Sequence, residues 1–166
     1  MKISIIGMGF VGSAIYKSFT NKGVEVVCYD KFKKNYSNTL EQCVQTDIMF
    51  LCLPTQYCNK IKSYDKSAIH DILEILVSNK YNGLVILKST VEPNTTNDLY
   101  NKYNDQHHLN LLHNPEFLTA STAYTDFHNQ QHIVLGQHEK CNDELTMKLT
   151  FFYKKNYPNA RISLCT

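Results

Sequence analysis

Short runs of apolar residues alternate along the chain with segments whose apolar positions recur every three or four residues. The continuous runs are Lys2–Ile6, Glu25–Tyr29, Ile48–Leu53, Leu84–Leu87, Leu109–His113, Ile133–Leu135 and Arg161–Leu164. Most are short and apolar on successive residues, which suits strands buried on both faces. Between them the spacing predicts a helix over Val11–Asn21, where Val11, Ile15, Ser18 and Phe19 fall at helical spacing and Asn21-Lys22-Gly23 supplies a stop. A second is predicted over Ala68–Ser78, with Ile69, Ile72, Leu73, Leu76 and Val77 on one face. Further helices are predicted over Thr95–Tyr103 after Pro93, Glu116–Tyr124 after Pro115, and Asn142–Tyr153 with Leu145, Leu149 and Phe152. Gln56–Lys66 is polar and predicts a surface loop. Repeated strand–helix units predict an α/β domain with a doubly wound parallel sheet, because each right-handed crossover between parallel strands needs a connection of helix length. A length of 166 residues suits one domain with a full core.

The first apolar run leads directly into Gly7-Met8-Gly9-Phe10-Val11-Gly12, and the second ends at Asp30, 18 residues beyond Gly12. Strand, G-x-G-x-x-G turn, helix, second strand and an acid at its tip are the parts of a dinucleotide site in the order it needs them, which makes the sheet Rossmann-type. Gly7 permits the tight turn, Gly9 lets the backbone approach a pyrophosphate, and Gly12 lets the helix pack close to the strand. The helix N-terminus offers free N–H groups and a partial positive charge to the phosphates. A plain βαβ turn with three packing glycines is the competing explanation. Asp30 is placed to accept hydrogen bonds from the adenosine ribose and to repel a 2′-phosphate, so the expected cofactor is NAD; Lys31, Lys33 and Lys34 act against that preference. Ligands of a doubly wound sheet gather at strand carboxyl ends. Besides Asp30, those ends carry Leu53-Pro54-Thr55, Lys88-Ser89-Thr90-Val91 and His113-Asn114-Pro115-Glu116, a set of small hydroxyls and a carboxylate suited to a polar cofactor with a substrate beside it.

The formal net charge is only +2, with the lysines mostly spread out, so nothing global points to nucleic acid. The N-terminal apolar run is broken by three glycines within six residues and lacks a small-residue cleavage site, so it does not read as a signal peptide. No run approaches the roughly 18 apolar residues of a membrane span. A cytoplasmic protein is expected. None of the six cysteines forms a C-x-x-C pair, and reduced thiols are expected. His128 and His132 have i,i+4 spacing, but Asn129-Gln130-Gln131 argues against a helix there, and no metal is expected.

The segments G-M-G-F-V-G, L-C-L-P-T, K-S-T-V-E-P-N-T-T and N-P-E-F-L, in this order and spacing, resemble the N-terminal domain of the nucleotide-sugar 6-dehydrogenases, which act on UDP-glucose, GDP-mannose and UDP-N-acetylmannosamine. That family oxidises a sugar C6 alcohol to a carboxylate in two successive hydride transfers to NAD. The resemblance implies that Gly7, Met8, Gly9, Phe10, Val11, Gly12 and Asp30 hold the adenosine diphosphate portion, that Leu53, Pro54 and Thr55 line the cofactor groove, and that Ser89, Thr90 and Val91 lie near the nicotinamide. It implies that Glu116 is the acid/base carboxylate, acting with an ordered water, and that Phe117 and Leu118 touch the sugar nucleotide through their backbone. A carboxylate at a strand tip beside a hydride-transfer site can manage protons. The alternative is that Glu116 sits in the first turn of the next helix and merely favours its dipole. Thr90, the second catalytic candidate, has an equal alternative as a cap of the helix that follows. Lys88 could reach a phosphate or simply end a strand.

The chain also departs from the family pattern. Ala120 stands where a second glutamate is common, Asn94 replaces the usual glycine of the S-T-V turn, and the arginine common shortly after the ribose-binding acid is not evident. No cysteine lies in the glycine-rich segment followed by Pro-Lys that carries the family's thiolate nucleophile. Residues 1–166 are therefore expected to form the NAD-binding domain, without the C-terminal sugar-nucleotide domain, and to be inactive alone. The expected ligands are NAD and a nucleotide sugar such as UDP-glucose. A second copy of the chain, in a homo-oligomer, or the missing domain is the expected protein partner. A β-hydroxyacid dehydrogenase-like oxidoreductase, against which N-P-E-F-L speaks, and a non-catalytic NAD-binding module are the competing functions.

Overall fold

The computed structural model describes all residues except Lys34, Ser37 and Ile61, and excludes the side chains of Asp105, Gln106 and His107. The chain runs β1 (Ile3–Ile6), α1 (Phe10–Asn21), β2 (Val26–Tyr29), α2 (Leu40–Val44), β3 (Ile48–Leu51), β4 (Tyr57–Cys58), β5 (Ser63–Tyr64), α3 (Ser67–Ser78), β6 (Leu84–Leu87), α4 (Thr95–His107), β7 (Asn110–His113), α5 (Ala123–His128), β8 (His132–Gln137), α6 (Asp143–Asn156) and β9 (Arg161–Cys165). Seven strands form one sheet in the order β2-β1-β3-β6-β7-β8-β9.

Every residue of β1, β3 and β6 is buried; the one polar member, Ser4 of β1, shares a hydrogen bond with the Thr46 hydroxyl at 2.7 Å. Side chains alternate across the sheet and so divide these strands between two cores. Ile3, Ile5, Phe50 and Ile86 join Ile15 and Phe19 of α1, Phe127 of α5, and Leu149 and Phe152 of α6. Ile6, Leu51, Val85 and Leu87 pack against Ile69 and Leu73 of α3 and Leu99 and Tyr100 of α4. Phe19 anchors the first core, edge-on to Phe50, Phe127 and Phe152 with centroids 5.1 to 5.8 Å apart.

The sheet is not parallel throughout. β8 runs antiparallel to β7, pairing Leu112 with Gln137 and His113 with Gly136, and β9 follows β8 in parallel. The six-residue α5 packs on α1 rather than crossing the sheet, so the chain doubles back at the carboxyl edge. The Asn114 side chain continues the contact, donating to Val134 O at 2.8 Å.

The helix expected over Glu116–Tyr124 does not form. Residues 116–119 carry no helix, a turn follows, and α5 starts only at Ala123. Asp126 accounts for the late start: its carboxylate accepts Thr119 N–H and the Thr122 hydroxyl, gathering the helix entry around itself. The expected loop Gln56–Lys66 contains the small β4–β5 hairpin, closed by Tyr57 and Tyr64 ring to edge. Glu92 ties this hairpin to the turn after β6 by accepting Ser63 Oγ, Tyr64 N–H and Lys66 Nζ. The short α2 was not expected, although Thr39 and Gln42 form a reciprocal capping box at its start. Among the described residues, no helix is long and apolar enough to cross a membrane.

Candidate functional site

From β1 the chain passes to β2 on one side and then crosses to β3 on the other, so the strand order reverses between β1 and β3. At such a switch point the loops after the two strands diverge and leave a crevice. A groove of about 1030 Å³ opens there, walled by Gly7, Gly9, Phe10, Val11 and Asp30 on one side and by Leu53, Pro54, Thr55, Ser89, Thr90 and Glu116 toward the other.

The three glycines have different surroundings. Gly7 has φ +88°, and a side chain there would also strike the Cys52 carbonyl. At Gly12 a side chain would strike the Gly7 carbonyl. At Gly9 an added Cβ meets nothing within 4 Å. Gly7 and Gly12 therefore make the turn compact, and Gly9 leaves its open side free for a ligand's close approach. Helix α1 starts after Gly9 with no side-chain cap and no acid in its first turn. Its N–H donors and partial positive charge are thus left available to an anion. These features fit the pyrophosphate of a dinucleotide.

Asp30 is the hub of the adjoining loop. One oxygen accepts Met8 N–H at 2.7 Å, and the other accepts the N–H groups of Phe32 and Lys33. Burial pushes its carboxyl up, but these three donors and the Lys33 charge outweigh that and hold it below the ordinary carboxylate range. Asp30 is thus an anion able to accept further bonds from a diol. Lys33 Nζ donates to Met8 O, which engages that ammonium with the turn itself. Lys34 lies outside the described residues.

At the far end Ser89 stitches two strand tips together: its hydroxyl donates to Leu53 O at 2.7 Å and accepts Leu53 N–H at 2.9 Å. Thr90 is exposed in the groove, and its carbonyl accepts the Thr55 hydroxyl at 2.6 Å. Thr90 does not cap α4; Asn94 holds that position, in the left-handed conformation (φ 69°) that its replacement of a glycine requires. Glu116 is half-buried on the groove wall, outside any helix, and one carboxylate oxygen accepts Leu118 N–H at 2.8 Å. The helix-dipole explanation of Glu116 is thereby removed.

Met8, Gly12, Val91, Phe117 and Leu118 are not on the groove wall. Met8 and Gly12 support the turn from below, Phe117 is largely exposed, and Leu118 packs partly against the first core. Lys88, by sequence either a phosphate ligand or a plain strand end, is a residue of the groove wall. It is buried, and its Nζ donates to Asn114 Oδ1 and Pro115 O. A lysine ending an apolar run is the only sign of this in the sequence.

All six cysteines are free. Burial pushes the thiols of Cys28, Cys43 and Cys52 up to about 12, and raises Cys141 as well. None of these four has the lowered pKa of an activated nucleophile.

The family model described as "UDP-glucose/GDP-mannose dehydrogenase family, NAD binding domain" matches residues 31–155. The match begins just after Asp30, so the glycine turn is an independent sign. The chain is 30% identical to the UDP-glucose 6-dehydrogenase AglM of Haloferax volcanii, over 82% of this chain and 41% of that protein. It is 28% identical to a UDP-glucose 6-dehydrogenase of Campylobacter jejuni, over 82% of this chain and 42% of the relative. The chain thus spans about two fifths of the length of these curated relatives. Its fold matches a UDP-glucose dehydrogenase structure from Pyrobaculum islandicum with a TM-score of 0.82 at 22% identity, covering 99% of this chain and 46% of that one. A GDP-mannose dehydrogenase structure from Pseudomonas aeruginosa matches with a TM-score of 0.81 at 21% identity, over 100% and 46%. With the family match spanning most of the chain, and a groove at the switch point of its sheet, the chain belongs to the UDP-glucose/GDP-mannose dehydrogenase family and carries its NAD-binding domain.

Proposed function

We propose that this chain is the cofactor-holding part of a nucleotide-sugar 6-dehydrogenase, with UDP-glucose or a close analogue as the sugar substrate. The adenosine diphosphate of NAD lies against the start of α1 with its ribose on Asp30, and the nicotinamide half extends toward Ser89, Thr90 and Glu116. The observation that carries this reading is the open side of Gly9, at an uncapped helix start, in a groove that ends at a carboxylate. Bound NAD supplies the hydride acceptor. Glu116 handles the proton of the reacting alcohol, through a water where the carboxylate does not reach it directly. Thr90 offers its exposed hydroxyl to the same end of the groove. Leu118 N–H, which Glu116 holds in this structure, becomes free for the sugar nucleotide when the carboxylate turns toward substrate. Phe117 presents its backbone beside it.

The chain does not complete the oxidation by itself. Taking an aldehyde to a carboxylate by hydride transfer needs a tetrahedral adduct, and in this family a cysteine thiolate forms it. The raised thiols of Cys28, Cys43, Cys52 and Cys141 do not suit that role. In this reading a further domain or a different chain supplies the nucleophile and the other wall for the sugar. Free thiols throughout suit the cytoplasm. Calorimetric titration with NAD tests the binding half. The catalytic half is tested by NADH absorbance with chain, UDP-glucose or GDP-mannose, and excess NAD, where negligible turnover is expected. Steady formation of two NADH per sugar would overturn it.

A further inference from the structure

Lys88 follows β6 directly and is 2% exposed, yet forms part of the groove wall. Its ammonium donates to Asn114 Oδ1 at 3.2 Å and Pro115 O at 3.4 Å, both neutral oxygens, and lies 5.6 Å from the centre of the Phe127 ring. Among the described residues no carboxylate stands within ion-pair distance of it. Buried charges are ordinarily paired, because neutral acceptors do not repay the loss of water. Burial accordingly draws the Lys88 pKa from 10.5 down to about 8, opposed by Cys52 and Glu116, so near neutral pH the group is still mostly a cation.

The groups facing it come from every element around it. Cys52, after β3, is a thiol held up near 12. The His113 imidazole on β7 is pushed below its usual value by burial and by the Lys88 charge. Tyr153 on α6, a phenol well above its usual range, donates to the same Asn114 Oδ1 at 2.6 Å. All three are neutral near pH 7. Among the described residues, the Glu116 carboxyl is then the acidic group that acts on Lys88. Glu116 is half-exposed and screened by water, whereas Lys88 is not.

A dinucleotide spans a switch point with one mononucleotide half on each side. With the adenosine on the Asp30 side, the nicotinamide half falls on the β3–β6 side, where Lys88 lies. We propose that Lys88 sets the oxidation-state preference of the bound cofactor: its buried ammonium repels the cationic ring of NAD+ and so weakens NAD+ relative to uncharged-ring NADH. This inference rests on the NAD-binding function proposed above. A tenfold preference for the reduced form moves the bound two-electron couple about 30 mV positive, making the bound cofactor a better hydride acceptor.

The test is titration of the purified full chain with NAD+ and separately with NADH, for wild type and Lys88→Met, at pH values well below and well above 8. Below pH 8 the wild-type ratio Kd(NAD+)/Kd(NADH) should exceed that of Lys88→Met by on the order of tenfold, from a unit charge acting through a partly buried site. Above pH 8 the wild-type ratio should fall toward the variant's, while the variant's ratio stays level. A merely structural loss weakens both forms alike and leaves the ratio unmoved. If Lys88→Met does not fold, the wild-type pH series decides alone. Binding of both forms with a ratio indifferent to pH and to Lys88 overturns the inference and leaves the NAD-binding reading standing. Binding of neither form by wild type overturns both.

Discussion

Substituting Gly9 and Gly12 separately divides the two tasks of the glycine turn. At Gly9 the backbone has φ −73°, which any residue adopts, and an added Cβ meets nothing within 4 Å. Gly9→Val should therefore cost only the poorer helix start, about 0.5–1 kcal/mol. The pyrophosphate fares worse, because the valine occupies the open side it needs. Losing two charge-assisted N–H contacts at about 1.5–3 kcal/mol each removes about 3–6 kcal/mol of binding. NAD affinity should then fall by at least about a hundredfold. Gly12→Ala should behave in the opposite sense. Its Cβ runs into the Gly7 carbonyl and lies 3.4 Å from Cys52 Cβ, and backbone in a tight turn cannot give way cheaply. The overpacking should cost about 1–3 kcal/mol or more, against a gain of at most about 1 kcal/mol from helix propensity. Thermal melts and NAD calorimetry on the same preparations read both quantities. Gly9→Val that binds NAD as tightly as wild type would refute the placement of the pyrophosphate and leave the turn purely structural.

Asp30→Ala should weaken NAD by about 1–3 kcal/mol, since ribose hydroxyls lose a charged acceptor; wild type binding NADP as tightly as NAD in parallel titrations would contradict the role given to Asp30. Lys88 should make stability rise with pH just above 8, because its folded pKa of about 8 lies below the ordinary 10.5 and the unfolded chain binds the extra proton there. The thiols of Cys28, Cys43 and Cys52, raised on folding, act in the opposite direction as pH nears 9 in wild type and variant alike, so the readout is the difference: urea melts of wild type and Lys88→Met should differ in slope by about 1 kcal/mol per pH unit between pH 8 and 9. Phe19→Ala should cost about 3–5 kcal/mol by leaving a cavity among Phe50, Phe127 and Phe152, with a thermal melt as the readout.

The central sheet was legible because its determinants are local. Short, mainly apolar runs bounded by turns fix β1, β3 and β6, and the order of strand, glycine turn, helix, strand and Asp30 marks where the dinucleotide is proposed to sit. The positive φ of Asn94 agrees with the glycine that the resemblance puts at that turn, since asparagine also tolerates the left-handed conformation. Tertiary structure decided what depends on partners distant in sequence. The late start of α5 follows from Asp126 gathering Thr119 and Thr122, which frees Glu116 from a helix and sets it on the groove wall. The reversed direction of β8 follows from a connection too short in helix to cross the sheet. The hydroxyl of Ser89 looks available in the sequence, but the neighbouring strand tip takes both of its hydrogen-bonding roles through Leu53. Lys88 shows the division most plainly. The sequence places a lysine after an apolar strand, and only the packing of β7, α5 and α6 around it turns a strand terminus into a buried cation at the edge of the site, because burial is set by what covers a residue and not by the residue itself.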